Sequence, residues 1–460
     1  MDLAIITIYL IGILIIGLWY GRGIKSLSDY AVAGKAYTAP VIFATLSASF
    51  IGGGFSMGNA EKVFRFGIMN ILALFGFSLS QILIARFIAP RMGRYEDAIS
   101  VGDIMEKNYG VKAKIFTGFF ALIACAGILG AQIGAMGHIF NVFLGIPKFS
   151  GILIGIGIVL IYVTAGGMKS VVGTDVIQFI FLVIGIPLTL LLAVRYAGGV
   201  SAVVNAVPAE HLSIPAIGFT TATFISLFLV FLVGETLVPP YVQRLLLAKD
   251  VHAVSKGTLW SGLLSIPFFA TTGLIGLAAL AISPDLDPNL AMPFVVRTVL
   301  PVGIRAVMIS AVIAIIMSSA DSFLNAATVS FVNDILKPIK SIRLDELQEL
   351  RIARYFTVFL GIAGVIFAVR IESVLDILLF TYNFWAPVIL VPLVAAILNL
   401  KADIRHFTVS AAGGLSGMII WNYILKQPGG FDGLVIGVFC SAVGFALALN
   451  FTRKKASNLQ

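Results

Sequence analysis

The sequence predicts an all-α membrane protein of about thirteen transmembrane helices, and three observations carry that prediction. Of 460 residues, 59% are hydrophobic and 12% charged, where a soluble chain has about 25% charged. Mean hydropathy is +1.04. Apolar stretches of about 20 residues, enough to cross a bilayer, recur along nearly the whole length. The basic residues collect on alternate connections between those stretches. So much apolar surface cannot be hidden in a globular core and must face lipid, and no polar segment is long enough to be a separate soluble domain. The chain, 1–460, reads as a single transmembrane domain.

The expected spans are 3–20, 40–64, 67–89, 115–144, 150–167, 174–196, 217–240, 256–282, 302–332, 354–370, 373–398, 407–424 and 433–451. The first lacks a basic leader and a small-residue cleavage site, so it reads as a retained helix and not a signal peptide. One set of connections carries Arg22, Lys25 and Lys35, then Arg91, Arg94, Lys107, Lys112 and Lys114, then Arg244, Lys249 and Lys256. Lys337, Lys340, Arg343, Arg351 and Arg354 follow, and Arg453, Lys454 and Lys455 end the chain. The opposite loops hold few basic residues, such as Lys148, Arg195 and Lys426. By the positive-inside rule the N-terminus is outside and the C-terminus cytoplasmic, in a cell (plasma or inner) membrane, which needs an odd number of spans. The net charge of +9 is spread over short loops and does not indicate nucleic acid. Cys125 and Cys440 fall inside spans, so no disulfide framework is expected. Residues 97–108 and 341–354 mix apolar and charged residues at helical spacing and read as short interfacial connector helices.

Two spans are interrupted. The second carries Gly52, Gly53 and Gly54 near the bilayer centre, and each glycine weakens a helix by about 0.5–1 kcal/mol relative to alanine. In the seventh, Gly234-Glu235-Thr236 precedes Pro239-Pro240, which lack two backbone donors. Unwound backbone at membrane depth must line a cavity or be buried in protein. Small residues also serve close helix packing. The two spans lie five apart and run in opposite directions, and paired interruptions in two halves of inverted topology point to a transporter's central site. The glycine run follows no strand and is not a nucleotide loop.

The ninth span places Ile315, Ser318, Ser319 and Ser322 at i, i+3, i+4 and i+7, on one helix face. Hydroxyls and freed carbonyls are hard oxygen ligands suited to a small alkali cation. Asp321 lies beside the stripe, and a carboxylate at bilayer depth costs about 2.5–3.5 kcal/mol or more unless paired, which marks a functional position.

These stretches resemble the sodium/solute symporter family: residues 51–58 (IGGGFSMG), 162–178 (YVTAGGMKSVVGTDVIQ), Gln243-Arg244 within YVQRLLLAKD, and 317–325 (MSSADSFLN). The resemblance spans essentially all thirteen helices, and the MSSADS and GGG segments look closest to the choline-transporter branch. It implies a leucine-transporter-type inverted five-helix repeat with discontinuous helices, the first repeat over 40–196 and the second over 217–398. It also implies a sodium (Na+) site between spans two and nine, formed by the carbonyls of Ala48, Ile51 and Ile315 and the hydroxyls of Ser318 and Ser319. Asp175, Asp321 and Ser322 match a second sodium site or ion path in some members, which leaves one or two sodium ions open.

The expected activity is sodium-coupled import of a small polar organic solute by alternating access. Polar candidates for solute contact are Ser56, Gln81, Gln132, Glu235, Thr236, Tyr382 and Asn383, with Trp385 close by. Each is as readily explained by an interhelical hydrogen bond. Glu235 stands out as a charge at the second break, able to meet an ammonium group or pair with a neighbour. Phe50 and Val238 stand where the choline branch has tryptophan, which argues against choline itself. His138, His211, His252 and His406 are scattered, so no metal cluster is expected, and no nucleophile–base constellation suggests an enzyme. Two rival readings are a transporter-like solute sensor, disfavoured by a tail of about ten residues after the last span, and a proton-coupled symporter using Asp175, Asp321 or Glu235. The oligomeric state is not legible.

Overall fold

A computed structural model of the chain describes residues 1–214, 220–339, 344–369 and 381–457, which are helix and connecting turns without a β-sheet. The helices are α1 (Asp2–Tyr20), α2 (Leu27–Val32), α3 (Ala39–Phe50), α4 (Asn59–Phe66), α5 (Met69–Leu83), α6 (Val101–Tyr109), α7 (Val111–Leu144), α8 (Lys148–Tyr196) and α9 (Val200–Ala206). After these come α10 (Thr221–Val233), α11 (Pro239–Leu246), α12 (Val251–Ile282), α13 (Ala291–Val299), α14 (Ile304–Val329), α15 (Glu346–Ala368), α16 (Val391–Ile397), α17 (Ile404–Ile419) and α18 (Gly433–Ser457). Each expected span is matched by a helix or helix pair among these residues, the eleventh only from residue 381 on.

Helix α8 holds two spans. Its 49 residues would run more than twice the about 30 Å of a hydrocarbon core if straight. The helix is broken by a kink at Gly167, where φ is +52° and ψ −138°. A Cβ there would stand 2.4 Å from the Tyr30 carbonyl oxygen, so both the backbone conformation and the space demand glycine.

Both expected interruptions are present, for reasons the residue types only half disclose. Helix α3 ends at Phe50, Ile51 takes a non-helical φ/ψ of −85°/57°, and the chain resumes at 54–66 bent by 65°. No glycine of the run has positive φ. Gly52 is needed for close approach instead, since a Cβ on it would lie 2.8 Å from the Ser319 hydroxyl. In the seventh span α10 stops at Val233 and α11 starts at Pro239. Pro239 and Pro240 open the second half-helix in its first turn, where a missing N–H is no loss, and the turn is made by Leu237, held at φ +53°. A buried leucine in the left-handed region stores strain of the kind found where a structure is built for a site.

Helix α14 runs through the middle, packed by α1, α3, α7, α8 and α11, and all its residues from Met308 to Val329 are buried. Four details differ from expectation. The connector helix at 97–108 begins only at Val101, where Ser100 caps it: the Ser100 hydroxyl accepts the Asp103 N–H at 3.2 Å and Asp103 accepts the Ser100 N–H at 3.2 Å. Within 341–354 no separate helix forms among the described residues, because Glu346 to Arg354 are the first turns of α15, capped by Asp345. Lys114, counted with the loop cations, is buried at the start of α7 and paired with Asp103 and Glu106 at 2.8 Å each. Arg244, also counted as a loop cation, is wholly buried in α11.

Candidate functional site

The polar site grows from the crossing of three elements. The unwound end of α3 meets the serine stripe of α14, and the second arm of α8 brings Asp175 against both. Because the helix stops at Phe50, the carbonyls of Ala48 and Ile51 have no backbone N–H partner among the described residues. The Ser319 hydroxyl donates to the Ser49 carbonyl at 2.8 Å and lies 3.2 Å from the Ile315 carbonyl of its own helix. Ser318 donates to Asp175 Oδ1 at 2.5 Å and its hydroxyl lies 3.2 Å from Ser49 Oγ. Ser318 and Ser319 are buried, so the stripe faces protein and not lipid.

Asp175 is the hub of a buried network. Thr45 donates to its Oδ2, Ser49 Oγ donates to the same oxygen at 3.2 Å, and Arg244 Nη2 pairs with it at 3.0 Å. Arg244 also donates through Nη2 to Ser49 Oγ and, at 2.5 Å, to Ser322 Oγ. Its Nε reaches Thr45 Oγ1 at 3.1 Å and its Nη1 the Pro240 carbonyl at 3.1 Å. Asp321 sits one step away, accepting from Tyr162 OH at 2.6 Å and Ser322 Oγ at 3.0 Å. Asp175, Asp321 and Arg244 are all fully buried. A buried ion pair stays ionised only where hydrogen bonds satisfy its remaining oxygens and N–H groups, and here serine and threonine hydroxyls do so.

Beside this network lies a cavity of about 20 Å³, room for about one water. Ser49, Gly52, Gly54, Gln132, Ser319, Glu235 and Tyr382 line it together with Ile128 and the rings of Phe50, Phe55, Phe231 and Phe323. The two breaks touch across it, Phe50 against Tyr241 with ring centroids 4.9 Å apart. Glu235 shares a hydrogen bond with Tyr382, while its Oε2 has no partner; neither has Gln132 Oε1 nor the Tyr241 hydroxyl. Glu235 Oε2 and Gln132 Oε1 lie on residues of the cavity wall and are thus acceptors available to a ligand there.

Of the residues singled out for solute contact, Gln132, Glu235 and Tyr382 line the cavity and the others do not. Ser56 folds back onto the Gly52 carbonyl at 3.0 Å. Gln81 packs against Gly262 of α12. Thr236 bonds Ser80 at 2.6 Å, and its carbonyl accepts the Trp385 indole N–H at 3.3 Å. Asn383 is half-buried outside the lining. Missed were Thr45, Ser49 and Arg244. Thr45 and Ser49 stand four apart on α3, a same-face spacing readable in the sequence. Arg244 was hidden by its nearness to Lys249 and Lys256, although the apolar YVQRLLL around it signals burial.

A model described as the sodium:solute symporter family matches residues 30–420. A sodium/glucose cotransporter of Vibrio parahaemolyticus is 28% identical, over 65% of this chain and 59% of its own length. A high-affinity choline transporter of Caenorhabditis elegans is 25% identical over 60% of this chain and 49% of its own. The chain thus spans about half the length of the curated relatives it matches. A substrate-bound, outward-open Na+-coupled sialic acid symporter has a similar fold, with TM-score 0.84 over 97% of both chains at 18% identity.

Proposed function

This chain belongs to the sodium:solute symporter family, and from that premise we propose that it imports a small polar organic solute into the cell, driven by sodium, by alternating access. It is a multi-pass membrane protein with the leucine-transporter-type fold. We place it in a cell (plasma or inner) membrane, with its N-terminus outside and C-terminus inside on the distribution of loop lysines and arginines. The sodium would be held by the carbonyls of Ala48, Ile51 and Ile315 and the hydroxyls of Ser318 and Ser319. The observation that carries this reading is the Ser319 hydroxyl 2.8 Å from the Ser49 carbonyl, beside two carbonyls that the helix break leaves without backbone partners. Those are neutral hard oxygens, which favour an alkali cation over a proton. The two inverted repeats, 40–196 and 217–398, are supported by the way each begins with a broken span.

The dimensions of the cavity support alternating access. A cavity of about 20 Å³ is too small for an organic solute, so in this reading the solute enters only when one side opens. A hollow of about 310 Å³ between Lys35, Glu96, Leu245, Leu246 and Lys249 lies among the basic loops and is our candidate for the cytoplasmic exit. The deciding measurement is uptake into proteoliposomes under an imposed sodium or proton gradient, with solutes chosen by thermal-shift screening of the purified protein with and without sodium. Uptake that follows pH and ignores sodium would replace sodium by a proton in this reading.

Glu235 narrows the solute. It is the one acidic side chain on the cavity wall among the described residues, and its Oε2 has no hydrogen-bond partner. We read the preferred solute as carrying an ammonium or amine group, held by Glu235 with its apolar part against Phe50, Phe55 and Phe231. A charge-assisted hydrogen bond contributes about 1.5–3 kcal/mol, so Glu235→Gln is expected to raise KM for an amine solute about tenfold or more while sodium binding persists. A screen that returns only carboxylates, or an unchanged KM in Glu235→Gln, would remove the ammonium assignment.

A further inference from the structure

We propose that the apolar groove between α1, α7 and α8 holds an acyl chain of an anionic phospholipid, whose phosphate is met by Arg297, Arg305 and Lys148. The groove has a volume of about 320 Å³, and its walls include Ile6, Leu10 and Leu14 of α1, Phe140 and Leu144 of α7, and Ile154 of α8. Helix α1 packs against α8 and α14, and the groove is the space left between α1 and the end of α7. It shares no residue with the solute cavity or the cytoplasmic hollow. Leu3 and Leu14 both line it, which at 1.5 Å per residue is about 16 Å of helix, about half of the hydrocarbon core. That is the depth of one leaflet, and so the reach of one lipid chain. Thr7 is the one polar residue of the wall among the described residues, and its hydroxyl donates to the Leu3 carbonyl of its own helix at 2.8 Å. The wall therefore offers a polar solute no partner.

Charge marks one end of the groove, where α1 begins, α7 ends and α8 begins. A tail gains little hydrophobic energy in leaving the bilayer for an apolar wall, so preference for one lipid comes from its headgroup. Arg297 is exposed, and its Nη1 donates to the Val142 carbonyl at 3.1 Å, between Phe140 and Leu144 of the wall. Arg305 pairs through Nε with Asp2 at 2.6 Å, next to Leu3 of the wall. Lys148 is exposed just beyond Ile146 of the wall. Asp2 and Asp287, the latter near His138 together with Lys148, offset two of these three charges. One positive charge is left over at the membrane interface, which suits a headgroup carrying one negative charge, and guanidinium groups bind phosphate through paired N–H donors.

Lipid counting by native mass spectrometry on the purified, full-length protein tests this, with phosphatidylglycerol and phosphatidylcholine as probes. The wild type is expected to keep phosphatidylglycerol through delipidation and to gain thermal stability when it is added back. Thr7→Trp fills the groove from its exposed wall and is expected to lose both the bound lipid and that gain. Arg297→Gln leaves the groove open and is expected to lower the preference for phosphatidylglycerol over phosphatidylcholine about fivefold, the effect of one cation at the surface. A wild type that holds neither lipid, or both equally, overturns the proposal whether or not the variants fold. A folded Thr7→Trp that still keeps phosphatidylglycerol overturns it too, as does an Arg297→Gln with unchanged preference. A wild-type dimer that Thr7→Trp converts to monomer without releasing lipid would assign the groove to a second copy of the chain instead. None of these results touches the symport reading, which is decided by uptake under a sodium gradient.

Discussion

Replacing both Ser318 and Ser319 with alanine is expected to abolish sodium-dependent uptake, and Ser319→Ala alone to weaken apparent sodium affinity at least tenfold. The single change removes a hydroxyl from the proposed five-oxygen shell. It also strips the Ser49 carbonyl of the hydrogen bond at 2.8 Å that joins α14 to the unwound end of α3. Leaving a buried acceptor unpaired costs about 1–3 kcal/mol, and a tenfold loss of affinity corresponds to about 1.4 kcal/mol. Gly52, which faces Ser319, has no side chain to take its place. Ser318→Ala acts differently: it removes a ligand and also a donor to Asp175, so it should disturb both sodium binding and the Asp175–Arg244 pair. The check is the sodium dependence of initial uptake rates in proteoliposomes, with thermal stability measured in parallel to separate ligand loss from unfolding. Full sodium dependence in the double variant would remove these serines from the ion site.

Much of this site could be read from the chain because its signals are local. A stripe at i, i+3, i+4 and i+7 stays a stripe once the helix forms, and three glycines or two prolines inside an apolar span mark a break whatever packs around it. The mechanism of each break was less legible, since it depends on neighbours distant in sequence. Gly52 is small for the sake of Ser319, far along the chain, and Pro239 begins a half-helix whose turn is made by Leu237. The sequence gives a polar residue's depth in the membrane but not which way its side chain points. Gln132, Glu235 and Tyr382 face the cavity, while Gln81, Thr236 and Trp385 serve helix packing. The same limit explains Arg244. Counting basic residues by position treats it as one more loop charge beside Lys249, and only the approach of α8 reveals Asp175 waiting for it at 3.0 Å. Hydroxyls at 45, 49, 318 and 322 then take on a joint purpose that none has alone.

Asp175→Asn is expected to be the most destabilising conservative change in the membrane core. It keeps the size of the side chain but removes the only carboxylate in contact with a wholly buried guanidinium among the described residues. Breaking a buried pair from one side costs about 3–5 kcal/mol, because the remaining charge stays desolvated without a counterion. Thr45, Ser49 and Ser322 would still accept from Arg244, but neutral hydroxyls cannot cancel its charge. Removing both charges in Asp175→Asn/Arg244→Gln should recover most of the loss, since two neutral amides among hydroxyls can satisfy one another. A double-mutant cycle on thermal unfolding in detergent isolates the coupling, which should be about 3 kcal/mol or more if the pair is ionised. Recovered stability need not restore transport: the double variant still lacks the carboxylate that Ser318 bonds, so its uptake should stay low. Additive single-variant losses, with no coupling, would mean that Asp175 and Arg244 are held by their hydroxyl partners and not by each other.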